Sequence, residues 1–505
     1  MAAEQSSQEV HSLDAKYVLD ALLKHNYLPA HKGDLSEVPP TFSGSSLEER
    51  AAQDLADSGG RDARCGYDSV TFLSTRFNNV PRALAVPHPV AHSRLSLCIR
   101  DNWESLKAIE TNENSFIRPR RHRDGRLFTM DYESGSKRTM RELRQAFGER
   151  FVVHADISNC YPSIYTHSIP WAALGRSVAK TRRGPNEWFN ALDKCVRDAN
   201  RSETHGIVIG PGTSSVVAEF ILGAIDEALR DDFTHSRFVD DYQAFCATEE
   251  DALDFVRRLS DELRGFNLSL NARKTAIRPL PCTNSADWVH QLSLWAPSGD
   301  VLSLHDVVNY LDLAHSMSAR EPDGSVLKYA IKAVRGQQKT DDALFALISY
   351  TFNLALHNPV LVPLLGEMFD DMRSRDIALN YGESILCMVE RFARSRCADG
   401  LSWALYYAEN QGVTVSGSLA DEIVRCGDCL TLAQLRRVGC ADARRMVREF
   451  ADSLVSTVVD EIDKYELDQY WVLLYELFVD RERANPYANE DAFDIMSAAG
   501  IRFLH

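Results

Sequence analysis

The sequence predicts an α+β first half joined to an all-α second half. Three observations predict it. Up to about residue 285, short β-branched runs such as FVVHADIS, GIVIGPG and SRFVDDYQAFC alternate with helical stretches and glycine turns. Beyond that point nearly every segment carries apolar residues at helical spacing. Between the two halves lies RPLPCTNSADW, residues 278–288, whose prolines and small polar residues break both patterns. A chain of 505 residues is too long for one core, and two to four domains are expected.

Taken in order, the N-terminal helix is expected to reach the body through a loop over residues 28–49, LPAHKGDLSEVPPTFSGSSLEE. FVVHADISNCYPSIY reads as an apolar strand ending at Asp156, followed by a proline-broken turn. HGIVIGPGTSSVVAEFILGAIDEAL reads as a glycine-rich turn, Gly206 to Gly212, opening a helix. SRFVDDYQAF places Asp240 and Asp241 between apolar flanks, the pattern of a β-hairpin whose turn presents charge. FNLSLNARKTAI ends its polar stretch on Lys274. In the second half, Leu344, Leu347, Ile348, Thr351 and Ala355 follow one helical face, with Thr340 or Asp341 as the N-cap. No fixed repeat period emerges, so an irregular α-solenoid or helical bundle is expected.

Composition narrows the function classes. With 45% hydrophobic and 25% charged residues the chain is ordinarily globular, not disordered. No run approaches the roughly 20 apolar residues of a membrane span, and MAAEQSSQEVHSLD lacks the apolar core of a secretory signal. Eleven cysteines without a disulfide spacing suit a reducing cytoplasm. A net charge of −16 argues against a general nucleic-acid coat, while leaving room for a local basic channel. Cys426, Cys429 and Cys440 lack a fourth zinc ligand at suitable spacing and read as ordinary helix cysteines.

The carboxylates carry the chemistry. Adjacent buried carboxylates are costly unless a cation sits with them. Mg²⁺, a hard ion that takes carboxylate oxygens and shares its shell with phosphate, is the natural partner, with Mn²⁺ as a substitute. Two such ions roughly 3.5–4 Å apart would serve an in-line phosphoryl displacement. An Asp-Asp pair is equally an ordinary turn, a glycine turn an ordinary connection, and Lys274 an ordinary solvated lysine. Their order along the chain is what separates the readings.

That order resembles the palm of reverse transcriptases. Asp156 with Tyr161 looks like the first palm motif, Gly210-Pro211-Gly212-Thr213-Ser214-Ser215 like the second, and Phe238-Val239-Asp240-Asp241 like Tyr-x-Asp-Asp with phenylalanine for tyrosine. Leu270 to Lys274 looks like the fourth, and 84 residues separate Asp156 from Asp240. Asn26-Tyr27-Leu28-Pro29, Val38-Pro39-Pro40-Thr41-Phe42 and the stretch Ser115 to Pro119 resemble bacterial abortive-infection and defence-associated reverse transcriptases. The motif-level likeness covers residues 15–285; over the helical half it is architectural.

The resemblance implies a fingers–palm unit followed by a helical-repeat, HEAT-like domain in place of the thumb. It divides the chain into an N-terminal extension with the start of the fingers (1–90), fingers and palm (91–285) and the helical domain (286–505). It implies that Asp156, Asp240 and Asp241 hold the metal, that Tyr161 excludes ribonucleotides, and that Gly212 lines the nucleotide site. Lys274 is implied to protonate or stabilise the leaving pyrophosphate. Arg118, Arg120 and Arg123, in the basic run FIRPRRHRDGR, are implied to grip triphosphate and template. The implied partners are dNTPs, a single-stranded DNA product that can stay covalently attached, and a noncoding RNA in the templated alternative. A bacterial cytoplasmic setting, no membrane, and self-association into a homo-oligomer complete the expectation. Protein priming would need a tyrosine, with Tyr17, Tyr27, Tyr406 and Tyr407 put forward. The alternative from another class is an oligomeric helical scaffold in which polymerisation is secondary.

Overall fold

The computed structural model describes residues 12–505 apart from 30–36, 60, 63, 77, 131–134, 284–285, 323–324, 379 and 488. The middle of the expected 28–49 loop therefore lies outside the described residues. Among the described residues six strands form two sheets. β1 (Ser69–Thr75) and β2 (Pro81–Pro87) make an antiparallel hairpin. β3 (Phe151–Asp156), β4 (His235–Phe238), β5 (Asp241–Cys246) and β6 (Ala276–Pro279) form an antiparallel sheet in the order β4-β5-β3-β6.

Alternation dictates what this sheet does with its two faces. Val153 and Ala155 of β3, with Tyr242, Ala244 and Cys246 of β5, enter an apolar core with the helices Gly212–Leu229 and Glu249–Gly265. The opposite face carries His154 and Asp156, paired in register with Gln243 and Asp241. The helix Glu249–Gly265 starts on a capping box in which Thr248 and Asp251 satisfy each other's backbone N–H groups.

From residue 287 onward every described element is helical. The helix Asp341–Ala355 is capped by Thr340, whose Oγ1 accepts from the Ala343 N–H at 3.3 Å. Leu344, Leu347, Ile348, Thr351 and Ala355 are all buried, as the spacing predicts. Successive helices pack in antiparallel neighbours, for instance Gly382–Ser395 against Ala398–Asn410. Among the described residues, no helix is long and apolar enough to cross a membrane.

The helical half shares one apolar core with the N-terminal segment. Leu19, Leu23, Tyr27, Phe42, Phe72 and Val86 pack in the same cluster as Trp403, Trp471, Tyr475 and Phe503. Polar contacts fix this joint. Trp471 Nε1 donates to Val86 O at 3.2 Å, His505 N to Thr41 O at 2.8 Å, and the Thr75 N–H to Asp399 Oδ2 at 2.6 Å. Buried Asp468 receives Arg61 at 2.5 and 3.0 Å, the Asp68 N–H at 2.9 Å and the Tyr487 hydroxyl at 3.0 Å. Removing one partner of such a pair strands a buried charge, at a cost of about 3–5 kcal/mol. Asp468→Ala is expected to lose stability in that range by urea unfolding followed through tryptophan fluorescence. A change below about 1 kcal/mol would mean the joint does not rest on this pair.

Candidate active site

The site is built where β3 ends and the β4–β5 hairpin turns. Asp156 is the last residue of β3 and stands in register with Asp241, the first of β5. The hairpin loop is two residues long, Val239 and Asp240. Val239 has φ +57°, a left-handed conformation that β-branched side chains rarely adopt. The motif strands are also joined main chain to main chain, with Ile157 N donating to Asp240 O at 3.0 Å. Ile157 in turn bridges Leu270, and Asn271 N donates to Asp156 O at 2.7 Å. Three sequence segments therefore converge on one carboxylate cluster.

The electrostatics of that cluster are those of crowded like charges. Asp156 is buried; its Oδ1 accepts from Asn271 Nδ2 at 3.0 Å and its Oδ2 from Lys274 Nζ at 2.7 Å. Burial, then the charge of Asp156, pushes the Asp240 carboxyl above its usual range. Asp241, although its side chain reaches solvent at the strand end, is pushed up to about 7 by partial desolvation, by Asp240, and by a hydrogen bond to Asp156 that its protonated form makes. Lys274 is pushed up by its hydrogen bond to Asp156. A lysine held that firmly as a cation suits charge stabilisation better than proton donation.

Among the described residues, no group of three or more His, Cys, Asp or Glu side chains is already arranged around a common metal position. The donor set still fits a hard cation. Crowding raises the Asp241 carboxyl and Asp156 takes Lys274; a divalent ion would relieve the same repulsion.

What holds the hairpin is a buried arginine. Arg237, in β4, is fully buried between two carboxylates of the helix Gly212–Leu229. Its Nη1 and Nη2 donate to Glu219 at 2.8 and 3.0 Å, and its Nε and Nη2 to Asp226 Oδ2 at 3.0 and 2.8 Å. Nη1 also donates to the carbonyl of Val239 at 2.9 Å, directly under the turn. Ser115 Oγ completes Glu219 at 2.7 Å and Asn112 Nδ2 completes Asp226 at 2.7 Å. Burial opposes ionisation of Asp226, but Arg237, His235 and Asn112 together hold it well below the usual carboxylate range. Residues 112–116 lie along β4, with Ser115 bridging Arg237 and Phe116 N donating to Arg237 O at 2.9 Å.

The remaining sequence candidates fall into distinct places. The Tyr161 ring is buried, its hydroxyl is hydrogen bonded to Ser215, and burial raises its phenol far above the usual range. Gly212 is taken up by packing. Its N–H donates to Asn26 O at 2.6 Å, and a Cβ there would lie 2.6 Å from Asn26 Cβ, so its bareness admits the N-terminal segment and not a nucleotide. Asn26 also accepts from Leu127 N at 2.7 Å and donates to Phe128 O at 3.1 Å.

The arginine run folds as a loop closed by Arg120 N to Leu127 O at 3.0 Å. Within it, Arg121 pairs with Asp14 and stacks on Tyr17, and Arg126 pairs with Asp124. Arg118 is half-buried and Arg123 exposed, so the run is not a uniform cationic grip. Sequence reasoning missed Arg82. This β2 residue acts electrostatically on both Asp240 and Tyr161, and its buried Nε has no hydrogen-bond partner among the described residues. A single arginine between two alternating apolar residues of a strand carries no sequence signal.

The cysteines read as ordinary helix residues remain so. All eleven are free, and Cys426 Sγ donates to Ala393 O at 3.0 Å.

A palm-like sheet presenting three acidic side chains at adjacent strand ends is the frame of a nucleotidyl-transferring domain. The comparisons define it further: the family model Reverse transcriptase (RNA-dependent DNA polymerase) matches residues 104–293. The chain thus carries a reverse transcriptase domain of the nucleotidyltransferase class. Solved telomerases are among its distant structural relatives. A Candida tropicalis telomerase truncated from its C-terminal domain is 13% identical, covering 43% of this chain and 51% of its own, with a TM-score of 0.30. The apo Candida tropicalis telomerase is 11% identical over 81% of this chain and 70% of its own, with a TM-score of 0.32. A Candida albicans telomerase in complex with a fragment of telomeric RNA is 12% identical over 80% of this chain and 66% of its own, with a TM-score of 0.30. The chain spans about half the length of the first of these. No curated protein matches.

The raised Asp241 carboxyl has a signed consequence for stability. Between about pH 4 and about pH 7 the folded site keeps a proton that the unfolded chain releases, so the metal-free protein is expected to lose stability as pH rises through that window. Thermal melts in chelator should show a wild-type midpoint that falls relative to Asp241→Asn over the same window. Parallel curves for the two proteins would show that Asp241 is not the protonated member.

Proposed function

We propose that this chain is a DNA polymerase that adds dNTPs at the Asp156–Asp240–Asp241 cluster, works in bacterial anti-phage defence in the cytoplasm, and starts synthesis on a hydroxyl of its own. The observation that carries the reading is the carboxylate cluster, Asp156 in register with Asp241 and beside Asp240, at the meeting of β3 and the strained β4–β5 hairpin. Mg²⁺, or Mn²⁺ in its place, would be held by Asp156, Asp240 and Asp241 and would supply charge neutralisation along the transferring phosphate.

The chain's own groups do the rest. A primer hydroxyl gives up its proton to solvent and attacks the α-phosphorus, the bond from the α-phosphorus to the oxygen bridging to the β-phosphorus breaks, and pyrophosphate leaves with that oxygen. Asp156, released by Lys274, would become free to take the cation. Lys274, held as a cation, then faces the charge that develops on the leaving group. Arg82 supplies a second cation whose Nε has no hydrogen-bond partner among the described residues. The Tyr161 ring, fixed through Ser215, forms a rigid floor that a 2′-hydroxyl would strike.

Support for the defence branch is the N-terminal motif Asn26-Tyr27-Leu28-Pro29, the stretch Ser115 to Pro119, and the helical half that takes the thumb's place in the chain order. The HEAT-like description of that half is part of the same reading. Among the tyrosines put forward for priming, Tyr27 and Tyr407 are buried, with hydroxyls donating to Pro87 O and Val362 O. Tyr17 is engaged through Arg126 O and the His122 N–H. Tyr406 alone of the four has a hydroxyl without a hydrogen-bond partner among the described residues.

Labelled dNTPs with Mg²⁺ and no added primer should give product that runs with the protein on a denaturing gel and is released by protease. Product that enters the aqueous phase without protease, and forms only when a primer is added, would overturn self-priming and leave the polymerase. Asp240→Asn is expected to reduce incorporation to background while keeping the fold; wild-type incorporation by that variant would sink the site. Tyr161→Ala is expected to admit rNTPs that the wild type rejects, and equal rNTP use by the wild type would remove the ring as the gate.

A further inference from the structure

The segment after Tyr161 runs to a surface that the polymerase chemistry does not use. Residues 161–166 pair back onto residues 204–207: Ile207 N donates to Tyr161 O at 3.0 Å, Gly206 N to Ile164 O at 2.9 Å, and Thr166 N to Thr204 O at 2.9 Å, with Tyr165 bridging His205. At the outer end of this ladder Tyr165 gathers three rings around it, the nearest His167 at 5.0 Å. Tyr165 lies 5.4 Å from His205 and 5.6 Å from Trp171, centroid to centroid. Tyr165 and Trp171 are half-buried and His205 is exposed. Neither Tyr165 nor Trp171 packs against the palm's apolar core, which Ala172, Ala173 and Leu174 join immediately beyond. Rings that are tethered to one another and left open to solvent form a ledge, not a core.

The ledge is edged with positive charge. Arg176 lies over the Trp171 ring at 4.4 Å, and Lys180 and Arg183 follow on the exposed loop beyond it. Among the described residues none of these three cations has a carboxylate partner, whereas the nearby Glu187 and Asp193 are taken by Arg182 and His167. Residues 165–205 contain seven Lys and Arg against four Asp and Glu, in a chain whose net charge is −16. Stacking rings beside unpaired cations are what a single-stranded nucleic acid needs, because every base offers a face and every link a phosphate. A duplex, with its bases already stacked, gains only the cations.

We infer that the Tyr165–Trp171–His205 ledge with its Arg176, Lys180 and Arg183 edge is a platform for single-stranded nucleic acid leading to the carboxylate site. Tyr165 is four residues from Tyr161, at most about 14 Å away even along a fully extended chain. The direction of the strand rests on the polymerase reading; its binding does not.

The test is fluorescence anisotropy with the full chain, in the absence of dNTPs and divalent cations, using labelled oligo(dT), oligo(U) and a mixed-sequence duplex of about twenty nucleotides. The single strands are expected to bind more tightly than the duplex, and the tighter of the two identifies whether the strand is DNA or RNA. Tyr165→Ala/Trp171→Ala should weaken single-strand binding by about tenfold or more. Lys180→Glu/Arg183→Glu, two exposed positions whose one side-chain hydrogen bond among the described residues is Arg183 Nε to the Lys180 carbonyl at 3.0 Å, should weaken it and flatten its salt dependence. Wild-type affinity in both variants, or equal affinity for duplex, would overturn the platform. If the wild type binds single strands yet incorporates no nucleotide, the polymerase reading falls and the platform stands. If incorporation is normal and both variants bind like wild type, only the platform falls.

Discussion

The arginine at position 237 is the interaction on which the site depends. A guanidinium with no exposure to water is tolerable only if its donors are met, and here Glu219, Asp226 and the Val239 carbonyl meet them. The same contacts fix three things at once. They lock β4 onto the long helix that carries Ser215, they press residues 112–116 along β4, and they support a turn whose first residue sits at φ +57°. A turn that presents Asp240 and Asp241 side by side works against their mutual repulsion, and a rigid buried base is the physical counterweight.

A second set of contacts carries that rigidity outward. Asn26 holds Leu127 and Phe128 on one side and the Gly212 N–H on the other, tying the N-terminal segment to the loop and helix around the site. Tyr27, the next residue, stacks on His92 at 4.0 Å and reaches Trp471 and Phe503 of the helical half. One dipeptide therefore links the palm helix to the C-terminal helices. The helical half shares a core with the β1–β2 region, whose Arg82 acts electrostatically on Asp240, so movement in one half would be felt at the other's edge.

Legibility in the sequence followed the range of the signal. Strand Phe151–Asp156, the hairpin around Asp240 and the helix Asp341–Ala355 with its Thr340 cap rest on local alternation, local spacing and a local cap. What stayed hidden depends on partners far along the chain. Arg237 meets Glu219 and Asp226 across a sheet–helix interface, and nothing in SRFVDD marks its arginine as buried. Gly212 reads as a nucleotide glycine until Asn26 is seen against it. The run FIRPRRHRDGR reads as a grip led by Arg118, Arg120 and Arg123 until Asp14 and Asp124 are seen to occupy its other arginines, Arg121 and Arg126. Tyr27 and Tyr407 read as accessible hydroxyls, but their rings are core.

The claim that the buried arginine network sets the carboxylate geometry is tested most directly by neutralising the network without emptying it. Arg237→Gln/Glu219→Gln/Asp226→Asn removes all three charges and keeps a polar, filled interior, so no unpaired buried charge remains to unfold the protein. The measurement is Mg²⁺ affinity by isothermal titration, with thermal unfolding followed in parallel. The account predicts a cooperatively folded variant whose Mg²⁺ binding is weaker by about tenfold or more, because a shorter amide cannot reach the Val239 carbonyl and the turn relaxes. Mg²⁺ affinity equal to wild type in a folded triple variant would contradict it.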